Sequence, residues 1–275
     1  MSKVNGFNSF TGQRYLSQTK REQEKSTQKL ATGNRINSAS DDAASLGISS
    51  KLTATVRSKG QALRNANDAI SIVQTIEAGL HDFSAVIGHL RQLAVQAASA
   101  NYTPQERKML DMELQQGLLQ INQLAQKQEM FGQKLAVGNS RKLQIQVDVN
   151  NGTGNRIEID LENLSHTTAA LGVNDIDIAS QRHAQLAIVQ IDYAMKEVSK
   201  SMARMGAINS RLDKAINKLK GDVVTTSQAN SKIKDTDYAK ETAENTKNKI
   251  VQDGQTSVVA QSNDLLKSSL KLIDD

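Results

Sequence analysis

Apolar residues between positions 41 and 100 recur at steps of three and four, and this segment contains no proline. The spacing predicts one long helix with an apolar seam of period near 3.5. At 1.5 Å per residue the helix would reach on the order of 90 Å, against a radius of gyration of about 19 Å for a compact chain of this size. Unless its glycines break the helix, the pattern predicts a rod. The seam residues are Leu63, Ile70, Val73, Leu80 and Ile87.

A second seam lies between positions 188 and 223, where two interleaved heptad series are apolar except at Asn209. A single polar core residue can set helix register and partner number at some cost in stability. An equally good interpretation is that the seam drifts to Ile208 and leaves Asn209 on the surface. The seam residues of this helix are Ile188, Ile191, Met195, Val198, Met202, Met205, Leu212, Ile216 and Leu219.

Two shorter elements are predicted between the seams. Thr103-Pro104-Gln105-Glu106 is a capping box with proline at the first helical position, so a helix begins there. Apolar and polar residues then alternate on both sides of the turn from Asn150 to Gly154, which predicts a β-hairpin at about 142–162. A lone hairpin is marginally stable in water, so it must pack against the helices. The predicted fold class is mainly α: an elongated rod of long, antiparallel, coiled-coil-like helices with one small β-hairpin.

The two ends of the chain differ from its middle. Residues 11–32 and 232–275 contain few apolar side chains at helical spacing. Helices that bury so little surface normally need a partner. We therefore expect both ends to be mobile in the free monomer and ordered only in an assembly.

Composition narrows the class of protein further. The 275 residues include one proline, no cysteine and no tryptophan, and 38% are hydrophobic while only 3% are aromatic. An aliphatic core of this kind suits helix seams and argues against an ordinary compact enzyme. Without cysteine, neither a disulfide framework nor a cysteine metal site can form. We expect no cleavable secretory signal and no membrane span.

The net charge of +5 is concentrated in the first 35 residues, which carry seven Lys or Arg against Glu22 and Glu24. Charges along the rest of the chain balance. A basic arm of this kind could bind nucleic acid or an anionic membrane. A solvated arm is the simpler interpretation.

The sequence lacks the patterns of catalytic and metal-binding sites. The histidines at 81, 89, 166 and 183 are never three or four residues apart, and no nucleophile-elbow, dinucleotide or P-loop motif occurs. Asp41 and Asp42 follow two serines at the start of a helix and are best explained as helix caps. We therefore expect no catalytic residue, no metal and no cofactor, and a structural or interaction protein instead of an enzyme.

Blocks at 30–44 and 64–71 resemble the N-terminal region of bacterial flagellin, and blocks at 209–212, 231–241 and 259–263 resemble the C-terminal region of the same family. The blocks follow the family's order and extend over most of the chain. The residues that carry the N-terminal motif are Arg35, Ile36, Asn37, Ser38, Asp41, Asp42, Arg64, Asn65, Asn67 and Asp68.

The resemblance implies a self-assembling subunit of the filament used for swimming. In that family the terminal segments pair in an inner-tube domain, here 1–42 with 232–275, and the next segments form a helical rod domain, here 43–231. The hairpin leads almost directly into the second seam, so no variable outer domain is expected. Residues 11–29 offer less aliphatic surface than is usual in the family's terminal helices.

The resemblance also implies partners and a location. The subunit would be exported through the flagellar type III apparatus with a chaperone on its C-terminal segment. It would contact other copies of itself and the hook-filament junction and cap proteins, in an extracellular or periplasmic filament. Neither nucleic acid nor a membrane is expected as a partner.

One family contact is expected to be weakened in this chain. The family's contact with an innate immune receptor uses an arginine, a leucine and a glutamate that match His89, Leu93 and Glu113. Histidine lacks the permanent charge and the bidentate donors of arginine at pH 7. We therefore predict weakened receptor recognition.

Two alternatives remain open on the sequence. A hook-filament junction protein of the same superfamily shares the design of the terminal segments but usually departs from the motif at 35–38. A nucleic-acid-binding coiled coil would use the basic arm and would bind in a salt-sensitive manner.

Overall fold

The computed structural model describes residues 2–130, 133–137, 142–150, 152–161 and 164–274. The chain divides into two compact units, which we call unit 1 (Met1–Val56 with Val224–Asp275) and unit 2 (Arg57–Val223). The prediction of a mainly α fold with long helices and a β-hairpin is confirmed, because 79% of the chain is helical. None of the helices in the described part of the chain combines the length and the hydropathy needed to cross a membrane.

In chain order the elements are α1 (Ser2–Thr32), α2 (Ala39–Ala98), α3 (Pro104–Lys127), β1 (Glu129–Met130), β2 (Gln133–Lys134), β3 (Lys142–Gln146), β4 (Arg156–Asp160), α4 (Gln181–Lys234) and α5 (Tyr238–Asp274). A 3-10 turn, Thr153–Asn155, lies between β3 and β4. The described residues between β4 and α4 form no α-helix and no strand.

Unit 1 is built on the antiparallel pair of α1 and α5. Ser26 Oγ donates a hydrogen bond to the Glu241 carbonyl oxygen (3.3 Å), and Asn245 Nδ2 donates to Thr27 Oγ1 (3.2 Å). Nearer the other end of the pair, Gly12 lies against Val259. The predicted pairing of the N- and C-terminal segments is therefore confirmed within a single chain.

Unit 2 holds one continuous apolar core. Side chains of α2, α3 and α4 contribute to it, together with the hairpin and the segment from Leu161 to Ile178. Its largest fully buried side chains include Phe83, Leu80 and Ile121. The helices of this unit therefore share one core, with part of each seam fully buried and the rest packed at its edge.

Strands β3 and β4 form the predicted hairpin. They pair antiparallel from Lys142 opposite Asp160 to Gln146 opposite Arg156. Ile145, Ile157 and Ile159 point inward and are buried, as the alternation in the sequence requires. The other pair, β1 with β2, has only two residues in each strand and no periodicity that a sequence pattern could reveal.

The start of α3 also follows the sequence. Thr103 Oγ1 accepts a hydrogen bond from the Glu106 backbone N–H (3.4 Å), and the Thr103 N–H donates to Glu106 Oε2 (2.7 Å). Pro104 occupies the first helical position, where its missing N–H costs nothing. The predicted capping box is therefore confirmed.

Candidate assembly site

The motif at 35–38 lies where the linker between α1 and α2 runs beside the linker between α4 and α5. The Arg35 N–H donates to the Lys234 carbonyl oxygen (2.6 Å), and the Thr236 N–H donates to the Gly33 carbonyl oxygen (3.0 Å). The Arg35 guanidinium also donates to the Ile233 carbonyl oxygen (2.8 Å). One arginine thus joins two segments that are about 200 residues apart in sequence, by backbone and by side chain.

Gly33 is favoured at this crossing by its backbone conformation. Its φ of +69° ends α1 in the left-handed conformation that glycine adopts without strain. A Cβ at this position would lie 2.9 Å from the hydroxyl of Tyr238, the first residue of α5. That hydroxyl is the tip of an exposed side chain that can move aside, so the positive φ at the end of α1 is the stronger reason for glycine here.

Asp41 and Asp42 act as the predicted caps. Asp41 Oδ2 accepts hydrogen bonds from the backbone N–H groups of Asn37 (3.1 Å) and Ser38 (3.0 Å), and these bonds hold the pKa of Asp41 below its ordinary value. Asp42 has extended backbone angles, and its Oδ1 accepts from the Ser45 N–H (3.0 Å). Hydrogen bonds from Ser45 lower the pKa of Asp42. The regular part of α2 therefore begins after Asp42.

The remaining motif residues divide between the two units. Ile36, in unit 1, is buried at 3% exposure, whereas Arg64, Asn67 and Asp68 are exposed on α2 in unit 2. Asn65 is half-buried, and its Nδ2 donates to the Gln146 carbonyl oxygen at the end of β3 (3.5 Å). The motif therefore does not form one cluster of side chains.

The first predicted seam, on α2, lies along the core of unit 2. Val73, Leu80 and Ile87 are buried, while Leu63 and Ile70 are half-buried and pack against the core. The buried face of α2 is wider than a two-helix seam, because other helices and the hairpin contribute to the same core.

In the second seam, on α4, the heptad series that begins at Ile191 is buried, whereas the series that begins at Ile188 is only partly buried. Buried side chains include Ile191, Val198, Met205, Leu212, Ile216 and Leu219, while Ile188, Met195 and Met202 are half-buried. The positions one residue earlier, Ala187, Ala194 and Ser201, are fully buried instead. Small side chains allow a neighbouring segment to approach the helix closely, which a search for large apolar residues does not detect. Asn209 and Ile208 are both half-buried.

A buried histidine that the sequence did not single out lies beside this row of small residues. His166 is 2% exposed, and its ring stacks on Phe83 with centroids 5.4 Å apart. His166 Nδ1 donates to the Leu164 carbonyl oxygen (2.6 Å), so its Nε2 is the acceptor toward Ser201 Oγ (3.2 Å). Burial lowers the pKa of His166. The neutral ring therefore joins α2, α4 and the segment before α4.

The seam between α1 and α5 is polar, although its spacing is that of a coiled coil. On α1 the seam positions include Thr19, Gln23 and Ser26, with Leu16 and Leu30 as the large apolar members. On α5 the half-buried positions recur at steps of four and three, and they are Glu241, Asn245, Asn248, Gln252, Gln255, Val259 and Ser262. Lys29 Nζ pairs with Glu241 Oε1 at 3.7 Å along the same seam. The heptad signal was present in the sequence but was carried by polar residues.

The basic arm is the exposed side of α1. Arg14, Lys20, Arg21 and Lys25 are all exposed, and Lys29 is half-buried in its pair with Glu241. The positive charge thus belongs to a paired helix and not to a separate tail.

No group of three or more His, Asp or Glu residues in the described ranges could hold a metal ion.

The three residues matched to the receptor contact lie on α2 and α3 of unit 2. His89 Nε2 and Glu113 Oε1 are 3.6 Å apart, and both side chains are about half exposed. Leu93 is only 5% exposed. Only His89 and Glu113 therefore present a substantial surface to a partner.

Two family profiles match the chain. The bacterial flagellin N-terminal helical region matches residues 7–140, and the bacterial flagellin C-terminal helical region matches residues 188–273. The matched segments include α1 to α3 at one end and most of α4 and α5 at the other.

Curated relatives agree with the profiles. A flagellin of Halalkalibacterium halodurans is 34% identical over 250 residues, with 91% of each chain covered. Flagellin FlaB2 of Treponema pallidum is 30% identical over 273 residues, covering 95% of this chain and 96% of the relative. These relatives are matched over nearly their whole length without an outer domain.

Solved structures support the fold. The crystal structure of Bacillus cereus flagellin matches 57% of this chain and 88% of its own, with a TM-score of 0.50 and 24% identity. A putative flagellar hook-associated protein from Vibrio parahaemolyticus matches 71% of this chain and all of its own, with a TM-score of 0.57 and 16% identity. At these identities the likeness concerns the fold alone, so the profiles and the curated relatives decide the family. The chain belongs to the bacterial flagellins, structural subunits of the flagellar filament and not enzymes.

Proposed function

We propose that this flagellin polymerises through two domains with distinct positions in the filament. Residues 1–42 with 232–275 form the inner-tube domain, and residues 43–231 form the rod domain. The observation that carries the proposal is the pairing of α1 with α5, together with the crossing of their linkers at Arg35. Copies add head to tail, because a heterologous contact that does not close produces a helical polymer.

Electron microscopy tests this proposal. After concentration in a precipitating salt, negative staining should show long filaments of uniform diameter. Arg35→Ala removes the guanidinium bond to the Ile233 carbonyl and should reduce filament yield, whereas Arg57→Ala, at an exposed position of α2 outside the motif, should leave the yield unchanged. Persistent monomers with intact termini under every condition would count against the proposal.

The partners follow from the same function. The filament is an exported component of the cell, and we place this subunit outside the cytoplasmic membrane, in an extracellular or periplasmic filament. An export chaperone would shield the C-terminal segment before assembly, and hook-filament junction and cap proteins would contact the ends of the polymer. The exposed apolar side chains of α5 support the chaperone contact, because such side chains promote premature association.

Recognition by the innate immune receptor is expected to be weak. His89 replaces the family's arginine, and the burial of Leu93 leaves the contact to His89 and Glu113. His89→Arg should therefore raise the response of reporter cells, and His81→Arg, at an exposed position on the same helix, is the matched control. A wild-type dose response equal to that of an arginine-bearing flagellin would contradict this expectation.

A further inference from the structure

Two methionines lie on the outer side of α3, in contact with solvent. Met109 is 62% exposed and Met112 is 57% exposed. Because they are three residues apart, their side chains are neighbours on one side of the helix. Leu114, Leu118 and Ile121 are buried on the opposite side of α3, toward the core of unit 2. We call Met109 and Met112 the exposed methionine pair.

The other methionines whose side chains the structure describes all belong to α4. Met205 is 2% exposed. Met195 and Met202 are half-buried and pack against the core of unit 2. The chain therefore holds two classes of thioether, one pair open to water and three that contribute to the packing of α4.

Thioethers are oxidised by reagents that deliver one oxygen atom, and this chain has no cysteine to compete for them. With hypochlorous acid, the sulfur lone pair attacks chlorine and hydroxide leaves. Water then displaces chloride from sulfur and loses two protons. The net products are methionine sulfoxide, chloride and one proton, so sulfur loses the two electrons that chlorine gains.

The position of a thioether decides what its oxidation does to the fold. Methionine sulfoxide is polar, and it disrupts a core when it forms inside one. A sulfoxide on the exposed methionine pair is hydrated and leaves the buried side of α3 unchanged. A sulfoxide at Met205 would be buried among the apolar side chains that join α4 to the core. Oxidation of the exposed methionine pair is therefore harmless to unit 2, whereas oxidation on α4 is not.

We propose that the exposed methionine pair is an oxidant-modification site, which reacts before the methionines of α4 and thereby protects the core of unit 2. Its substrate class is hypochlorous acid and other oxidants that transfer one oxygen atom to a thioether. The reaction needs only the exposed side of α3 in the free subunit, so it is independent of the contacts between subunits in the filament.

Trypsin separates the two classes of methionine for measurement. The exposed methionine pair lies in the peptide 109–127, and the methionines of α4 lie in the peptides 183–196, 201–204 and 205–211. The full-length free subunit is treated with about two equivalents of hypochlorous acid, quenched and digested. Mass spectrometry then measures the gain of one oxygen atom in each peptide.

We expect at least about tenfold more oxidation in the peptide 109–127 than in the peptide 205–211, because burial keeps the oxidant from Met205. The control is a tryptic digest oxidised after cleavage, in which this preference should disappear. Methionine sulfoxide reductases should remove the added oxygen from 109–127. Equal oxidation of the two peptides in the folded subunit overturns the proposal, and so does a preference that persists in the digest.

A double variant tests the protective effect. Met109→Leu with Met112→Leu removes the exposed methionine pair and nearly conserves side-chain volume. At the same limiting dose of oxidant, its α4 peptides should be oxidised at least about threefold more than those of the wild type, and its urea midpoint should fall further on oxidation. Met195→Leu with Met202→Leu is the matched control, which keeps the exposed methionine pair and should hold its midpoint.

Each midpoint is compared before and after oxidation of the same protein, so the effect of the substitutions themselves cancels. An α4 oxidation in Met109→Leu with Met112→Leu no greater than that of the wild type would show that the exposed methionine pair does not protect the core. An equal loss of midpoint in the wild type and in this variant would lead to the same conclusion.

Discussion

Individual glycines in unit 2 differ in whether a methyl group would fit beside them. A Cβ on Gly117 would lie 2.5 Å from Cδ2 of Leu90, which is fully buried and cannot move aside freely. A Cβ on Gly88 would meet nothing within 4 Å. The two positions therefore separate the effect of crowding from the general effect of glycine in a helix.

Gly88→Ala should raise the free energy of unfolding by about 0.5–1 kcal/mol, because alanine loses less conformational entropy in a helix than glycine does. Gly117→Ala gains the same benefit but forces Leu90 to shift, which typically costs about 1–3 kcal/mol, so its net effect should be destabilising. Urea denaturation followed by circular dichroism measures both. Equal stabilisation of the two variants would show that the core around Leu90 accommodates the added methyl group without loss of stability.

His166 should make the stability of unit 2 depend on pH. Burial lowers the pKa of His166 from its ordinary value of 6.5, while the carboxylate of Glu197 favours the charged form more weakly. The unfolded chain therefore binds a proton at a higher pH than the folded chain does. The contribution of the neutral ring to stability is complete above pH 6.5 and falls as the pH drops toward the folded pKa.

The comparison that isolates this effect uses His166→Gln and the matched control His81→Gln, at an exposed position. Urea midpoints are measured on either side of the ordinary histidine pKa of 6.5, at about pH 7.5 and about pH 5.5. We expect the wild type and the control to lose more stability on acidification than His166→Gln. If all three proteins share one pH dependence, His166 does not titrate between the folded and unfolded states in this range.

At the scale of elements, a single substitution in the polar seam between α1 and α5 should stabilise this helix pair. Gln255 Oε1 is buried and has no hydrogen-bond partner among the described residues. Gln255→Leu removes this unsatisfied acceptor and adds apolar contact, so it should stabilise the helix pair by roughly 1 kcal/mol. Gln261→Leu, at an exposed position on α5, is the control and should have little effect.

Hydrogen exchange of the α1 amides in the free subunit measures this change, because opening of the pair exposes them. Slower exchange in Gln255→Leu than in Gln261→Leu is the expected result. Equal exchange in the two variants would mean that the seam does not limit the opening of α1.

Sequence patterns predicted the elements of this protein better than their packing partners. The capping box at Thr103 and the alternation around β3 and β4 are local signals, and both were confirmed. Burial on α4 falls partly on Ala187 and Ser201, because several segments pack around this helix and small residues let them approach. A seam chosen by the size of apolar residues cannot reveal such positions.

The assembly surface was harder to predict from the sequence. The apolar residues of α5 were visible as a loose stripe, but only the structure shows that Ile250 and Val258 stay exposed beside the paired seam. The crossing at Arg35 depends on Ile233 and Lys234, about 200 residues away in sequence, which no local pattern connects. His166 gave no sequence signal, because its partners Phe83 and Ser201 lie 83 and 35 residues away in sequence.

At the scale of the whole molecule, the two units should differ in their resistance to proteolysis. Unit 2 encloses a continuous apolar core, whereas unit 1 is held by a polar, half-buried seam. Local opening needs less free energy where few apolar contacts are broken, and a protease cuts the open form. Trypsin should therefore cut the free subunit first in unit 1, where Lys20, Arg21 and Lys25 are exposed.

The surviving fragment should retain residues 57–223, and mass spectrometry identifies its ends. Polymerisation should slow the cuts in unit 1 strongly and the cuts in unit 2 little, because the ends of the chain gain their missing partner only in the filament. The polymer digested beside the free subunit is thus the internal control. Cuts in unit 2 that appear as early as those in unit 1, in the free subunit, would contradict the expectation that the terminal segments become fully ordered only on assembly.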